Sequence, residues 1–447
     1  MMLSFTNRLE VMLYLPELLH IILLLAGCGV DATRAAIYGT AINLMHSMCT
    51  EDPRESKKSP DAGAVDGLAR LRTFLQQFAG FEVTKLFGLP IGQFDAFNAS
   101  TTVIRDTPDN AAIEKLALLM YSIAEMAAPT VDTANSWRAR LTSLVTSTAF
   151  QYNPIIQSRA FVLLGCLAQG EIDDDLLYQI LVSTRGSLTE WANHGNDAPI
   201  ISIVACLSKV VSILPARSRY LPQMFWLGVA VVQYGHVPLF KVGVDLLRTT
   251  ISTIWERNLH VEEGQPDLIA FLLDARLDFR EAACRMDDES GVDFEINFAF
   301  GITALLVRGL RHPSTKEATT DLLQLLLRYT AIDSQGQSRS AQGRISEAQL
   351  GFFVGLLPTA VQPEAFGDLL RMAGVAESVA QAAVEARKTD NNGLFNYLEA
   401  HDNKIALLVV TLAASLLQHA ESDQEKILLY CFLADSARMV PAIVSIL

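Results

Sequence analysis

The run Ala160-Phe-Val-Leu-Leu-Gly-Cys-Leu-Ala168 is apolar on nearly every side of a helix, Gly165 apart. Just upstream, Asn153 can cap and Pro154 can take the first helical position, where its missing N–H costs nothing. A helix without a polar face cannot lie on a surface and has to be sandwiched between neighbours. The pattern therefore predicts a buried helix inside residues 150–167, with the other apolar helices of the chain layered on either side of it.

A chain of 447 residues is too long for one compact core and calls for two or three domains or a repeat array. Half of its residues are hydrophobic, 19% are charged and the mean hydropathy is +0.27, so apolar surface is plentiful. That surface reads as buried in protein, because a bilayer crossing takes about 20 mostly apolar residues. Residues 18–30 are too short and carry His20, and residues 225–240 are interrupted by Gln233, Gly235, His236 and Pro238. No transmembrane segment is expected. A formal charge of −14, a pI near 5.1 and the lack of a basic run argue against nucleic acid as a partner. Cys28, Cys49, Cys166, Cys206, Cys284 and Cys431 are scattered without a CxxC pair, which reads as free thiols in a reducing compartment. No signal-peptide pattern opens the chain, so the expected location is cytoplasmic. The chain starts and stops within helical patterns, as a piece of a longer polypeptide would.

Residues 8–27 read as a helix bent near Pro16 and ended by Gly27 and Gly29, and Asp31 caps a second over 32–49. The two form a helical hairpin. Residues 51–61 read as a polar loop, 65–78 as a helix and 81–97 as irregular. Further helices are predicted over 109–126, 137–150, 176–191, 200–214, 219–234, 238–255, 266–285 and 293–310. A Ser314–Glu317 capping box precedes a helix over 318–329, and a Ser422–Glu425 box precedes one over 426–434. The Gly/Ser/Gln-rich stretch 333–344 reads as the best candidate for a mobile break, and residues 404–418 as another nearly all-apolar helix. No alternating apolar and polar run supports a sheet.

Arg34-Ala35 and Arg159-Ala160 both fall in the first turns of inner helices, and Lys316 stands in a comparable place. HEAT and armadillo units are similar in placing a basic residue there, where it holds loop carbonyls or an acid of the next unit. The expected fold is therefore all-α, an α-solenoid of HEAT/armadillo-like stacked helical hairpins. Residues 1–332 form the repeats, 333–345 a flexible polar loop and 346–447 the continuation of the stack.

Motifs for chemistry are missing. The chain has no Gly-x-x-x-x-Gly-Lys, no GxGxxG, no Gly-x-Ser-x-Gly and no HExxH. His20 and His46 read as satisfied boundary residues. The acids Glu171, Asp173, Asp174 and Asp175 read as helix-start charges. Asp287, Asp288, Glu289 and Asp293 match a calcium loop in charge only and read as an ordinary loop. Arg308, Arg311 and His312 either grip an anionic partner or complement a helix C-terminus. Trp191, Phe225, Trp226 and Trp255 read as core. No catalytic residue, metal or cofactor is assigned; Arg34, Arg159, Arg308 and Arg311 are the candidate structural or interface residues.

Several stretches resemble the C-terminal part of neurofibromin and the fungal Ira proteins, a family of large Ras GTPase-activating proteins. They are Arg8-Leu-Glu-Val-Met-Leu-Tyr-Leu-Pro-Glu-Leu18, Ile42-Asn-Leu-Met-His-Ser-Met-Cys-Thr50, Ala149-Phe-Gln-Tyr-Asn-Pro154 with Arg159-Ala160, and Phe225-Trp226 with Val229-Ala-Val-Val232. Asn297-Phe-Ala-Phe300, Gly309-Leu-Arg-His-Pro-Ser314 and Ile427-Leu-Leu-Tyr430 with Leu433-Ala434 follow in the family's order. The resemblance implies a helical-repeat region downstream of the GTPase-activating domain and the lipid-binding module. The activating domain's arginine finger and Phe-Leu-Arg…Pro-Ala signature have no counterpart here, so no arginine of this chain inherits that role. Residues 333–403 depart from the animal proteins, which are longer there. The implied function is a non-catalytic scaffold that serves protein partners, homodimerisation or control of the catalytic part, meeting Ras only through a domain outside this chain and membranes only peripherally. The alternative is an independent HEAT adaptor or transport receptor for basic protein cargo.

Overall fold

The computed structural model describes residues 8–49, 110–151, 153–168, 172–216, 218–262, 267–332, 344–389, 393–399 and 402–439. The predicted loop at 51–61, the elements at 65–97, Glu171 and nearly all of the break at 333–344 lie outside them. The chain falls into two compact units, Met1–Ile213 and Leu214–Leu447. Every described element is a helix; among the described residues the sole β pairing is an isolated parallel bridge between Ile345 and Leu398. The fold is all-α and built of helical repeats.

The first unit contains α1 (Arg8–Leu25), α2 (Asp31–Cys49), α3 (Asn110–Ala127), α4 (Val131–Ala149), α5 (Pro154–Leu167), α6 (Asp174–His194) and α7 (Ala198–Val210). Its centre is α5, packed along α4 and α7 and against α1 and α3. Asn153 caps it, accepting from the Ile156 N–H, and Pro154 opens it. Ala160, Phe161, Leu163 and Leu164 are wholly buried and Val162 is 2% exposed. At about 1.5–3 kcal/mol for each fully buried large side chain, this single turn and a half is a major contributor to the unit. Gly165 lets α7 come close, since a Cβ there would stand 3.2 Å from the Cys206 Cα. Gly27 and Gly29, at φ of 71° and 79°, turn the chain between α1 and α2.

The second unit holds α8 (Tyr220–Gln233), α9 (Val237–Glu256), α10 (Leu268–Asp274), α11 (Arg280–Ser290), α12 (Phe294–Leu310), α13 (Pro313–Thr330), α14 (Glu347–Leu356), α15 (Pro363–Met372), α16 (Glu377–Thr389), α17 (Asn403–Leu417) and α18 (Asp423–Met439). Successive helices pair as α8/α9, α12/α13, α15/α16 and α17/α18, and α14 packs on α12, α13 and α17. Its core gathers Phe225, Trp226, Phe294 and Phe298, with the Phe225 and Phe298 rings stacked at 5.9 Å. The Trp226 indole N–H donates to the Leu272 carbonyl at 2.7 Å, satisfying the one polar group in this cluster.

Several expectations need correction. The helix predicted to start at residue 137 begins at Val131, because Thr130 accepts from the Thr133 N–H and converts the stretch after Pro129 into a cap. The continuous helix predicted over 266–285 is broken into α10, a 3-10 turn over Ala275–Phe279 and α11. Ser314 and Glu317 do not cap α13. Its N-cap is His312, whose Nδ1 accepts from the Ser314 N–H, with Pro313 in the first helical position. Residues 287–290 are the last turn of α11 rather than a loop. On the nearly all-apolar α17, Leu407 is half-buried, and Val409 and Val410 occupy the interior. The Ser422–Glu425 box is formed: Glu425 N–H donates to Ser422 Oγ at 3.1 Å and Ser422 N–H to Glu425 Oε2 at 3.4 Å.

Candidate functional site

A small set of buried arginines supplies the most specific polar geometry in the chain. Arg159, in the second turn of α5 and 2% exposed, donates through Nη1 to the carbonyls of Leu24 at 3.0 Å and Ala26 at 2.5 Å. Those carbonyls belong to the end of α1, where helical acceptors run out of intrahelical donors. A cation placed there also meets the negative end of the helix dipole. Burial lowers the pKa of the Arg159 guanidinium from its ordinary value, a mark of what desolvation costs it. Arg34, in the first turn of α2, donates to the Gly29 carbonyl at 3.0 Å and pairs with Asp31, holding the turn between α1 and α2. The two residues thus brace the two sides of one connection.

The second unit has two brackets that the sequence did not disclose. Arg276 lies over the Trp226 ring at 4.7 Å and the Phe294 ring at 5.6 Å, and its Nη2 reaches the Ala283 carbonyl and Asp287 Oδ1 at 3.1 and 2.6 Å. This contact explains the break between α10 and α11: the chain turns so that Arg276 points inward. Burial pushes the Asp287 carboxyl up from its usual range, against the pull of Arg276. Arg387, near the end of α16, donates to the carbonyls of Ala360 and Val361 at 2.8 and 3.1 Å and covers the Phe366 ring. A basic residue in an amphipathic helix ordinarily reads as surface, so neither position carried a signal beyond its apolar neighbours.

Arg308 and Arg311 sit on the exposed end of α12. Arg308 Nη1 donates to the Gln233 carbonyl at 3.2 Å, at the C-terminus of α8. Arg311 lies near His419 and helps to lower that imidazole's pKa, behind the larger effect of burial. Lys316 pairs with Glu421 at 3.0 Å. The four candidate arginines fall into two pairs: Arg34 and Arg159 brace one turn in the first unit, and Arg308 and Arg311 belong to the second.

Other candidates have structural partners. Asp173 caps α6 through the Leu176 N–H at 2.8 Å, and Asp293 caps α12. His20 hydrogen-bonds Thr148 at 2.9 Å, and the His46 side chain lies outside the description. Phe225 and Trp226 are core, whereas Trp255 is half-buried in a stack between Tyr329 at 4.4 Å and His260 at 5.1 Å. Among the described residues the cysteines are free thiols, Cys206 buried and Cys284 exposed. Burial pushes the Cys206 thiol up to about 12, which leaves it unreactive. No group of three or more metal-ligating side chains occurs among the described residues. No single described helix is long and apolar enough to cross a membrane. What this arrangement can do chemically is hold helices in register and present their outer faces.

Fold and brackets together define an all-α helical-repeat protein whose polar interior serves packing. No family model matches the chain. It is similar to Inhibitory regulator protein IRA1 of Saccharomyces cerevisiae, 23% identical over 380 residues, which are 84% of this chain and 12% of that protein. It is also similar to Inhibitory regulator protein IRA2 of the same yeast, 22% identical over 344 residues, 75% of this chain and 11% of that protein. Both support the Ira family for this chain, which spans only about a tenth of these relatives' length. The segments that carry the resemblance meet in space within each unit. In the first, the helix of Arg8 to Leu18 packs on α4 and α5 and receives Arg159 at its end; in the second, Phe225 and Trp226 meet Phe298. Leu15, Phe225, Trp226 and Phe298 of these segments are buried, whereas Leu13, Tyr14, Ile427 and Tyr430 are exposed.

Proposed function

We propose that this chain is the non-catalytic helical-repeat portion of a neurofibromin-like negative regulator of Ras, acting as scaffold, dimer surface or brake on a GTPase-activating domain carried elsewhere in the parent. The observation that carries this reading is the similarity to two inhibitory regulator proteins over most of this chain and a small fraction of theirs. In this reading the helices form HEAT/armadillo-like layers, with residues 1–332 and 346–447 as parts of one stack joined by 333–345. Arg34 and Arg159 hold layers together, and Arg308 and Arg311 face a partner. The protein works in the cytoplasm and reaches membranes through other parts of its parent.

Sedimentation velocity across a wide concentration range tests the dimer surface. Reversible self-association in the micromolar range is the expected result, and a monomer at every concentration removes that role. Retention of a purely polybasic peptide at physiological salt would instead favour an adaptor that takes basic cargo by charge.

A further inference from the structure

We infer that the groove at the kinked start of α12 is a docking site for a protein segment that presents one or two large aliphatic side chains flanked by lysine or arginine. The inference deepens the partner-binding part of the proposed function and is independent of its Ras part.

The groove follows from a backbone conflict. Residue Asn297 leaves helical geometry, at φ −125° and ψ 44°, so the first turn of α12 is set at an angle to the rest. Two residues on, α14 comes so near that a Cβ on Gly351 would stand 2.4 Å from the Ala299 carbonyl carbon. Backbone lies against backbone there, which holds the kink from one side. The cavity left beside it measures about 310 Å³ and is floored by Phe298 and Phe300, with Ile269 and Leu273 of α10 and Ile405 of α17 among its walls.

Two features select an occupant. Ile296, on the rim, is 78% exposed, among the most exposed large hydrophobic residues described, so a partner's aliphatic group covering it would remove apolar surface from water. The charged groups among the described lining residues are Glu295 and Glu347, both exposed and both carboxylates. An incoming cation is attracted by this pair and an acidic segment is repelled, the more so on a chain of net charge −14. The volume suits one or two aliphatic side chains rather than a whole helix face. Charge gives the groove its choice of partner and the apolar floor gives it affinity.

The test uses the full chain and fluorescence anisotropy with a labelled peptide that carries two leucines, three residues apart, between paired lysines. Control peptides replace the leucines by serine or the lysines by glutamate, and octalysine reports binding by charge alone. Saturable binding of the leucine–lysine peptide is expected, with each control weaker by about tenfold or more. Ile296→Ser should weaken binding about tenfold while leaving the melting temperature unchanged, since the residue is at the surface. The double variant Glu295→Gln/Glu347→Gln should lower affinity about threefold and flatten its dependence on salt. The inference is overturned if the leucine and serine peptides bind alike, if Ile296→Ser binds as the parent does, or if octalysine binds as tightly as the leucine peptide. A complete lack of peptide binding also overturns it, while leaving the sedimentation and Ras measurements of the proposed function to be judged separately.

Discussion

Replacing Gly351 by alanine probes the backbone contact between α12 and α14. Ordinary van der Waals contact begins at 3.4 Å, whereas the new methyl would lie 2.4 Å from the Ala299 carbonyl carbon and 2.5 Å from its oxygen. One helix therefore has to move by about 1 Å, and backbone has no rotamer through which to relieve the clash. Overpacking of a well-filled core costs about 1–3 kcal/mol, and a displacement against backbone belongs at the upper end of that range. Alanine returns about 1 kcal/mol through its better helix propensity, leaving a net loss of about 2 kcal/mol. Gly186 in α6 is the internal control, because nothing lies within 4 Å of its added Cβ. There the same substitution should stabilise by about 0.5–1 kcal/mol. Thermal melts followed by circular dichroism should show Gly351→Ala lowered by about 4–8 °C and Gly186→Ala raised by about 1–4 °C. If Gly351→Ala melts at or above the parent, α12 and α14 do not meet as described, and the groove beside the kink loses its support.

Three further outcomes follow from the burial pattern. Val162→Asp places a carboxylate in the middle of α5, costs several kcal/mol and should abolish the cooperative melt of the first unit, whereas Leu407→Asp, at a half-buried position, should shift its melt only by a few degrees. Arg159→Met leaves the Leu24 and Ala26 carbonyls without this donor, and hydrogen exchange at the end of α1 should speed up before any global loss of structure is visible. Burial lowers the pKa of His20, His260 and His419 from the ordinary imidazole value. The unfolded chain then binds protons before the folded one as pH falls, so stability should begin to drop as pH falls through the ordinary imidazole value of about 6.5 and keep dropping below it, and His260→Phe should flatten the slope while keeping the stack on Trp255.

The most apolar elements were the most legible in the sequence. The α5 core, its Asn153 cap and Pro154 start, the α1–α2 turn at Gly27 and Gly29, and the Ser422–Glu425 box all stand where local residue chemistry puts them. Each depends on neighbours within a few positions. Some misread elements depend on distant partners and others on a cap a few residues upstream of the one expected. Arg276 interrupts a helical pattern because Trp226, Phe294 and Asp287 receive it, and no local rule encodes that meeting. His312 displaced a well-formed Ser-x-x-Glu signal because Pro313 started the helix earlier. Leu407 lies on an almost wholly apolar helix whose composition does not say which side its neighbours cover. The docking groove was invisible for the same reason, since it arises from the kink at Asn297 and the approach of Gly351.

In the function proposed above, this chain supplies packed surface and acceleration of GTP hydrolysis resides outside it. Single-turnover phosphate release from Ras·GTP, measured with increasing amounts of the purified chain, tests that claim most directly. The intrinsic rate should persist at every concentration. An acceleration that saturates with added chain, anywhere near the factor of about 10³ to 10⁵ that an arginine finger contributes, would contradict it.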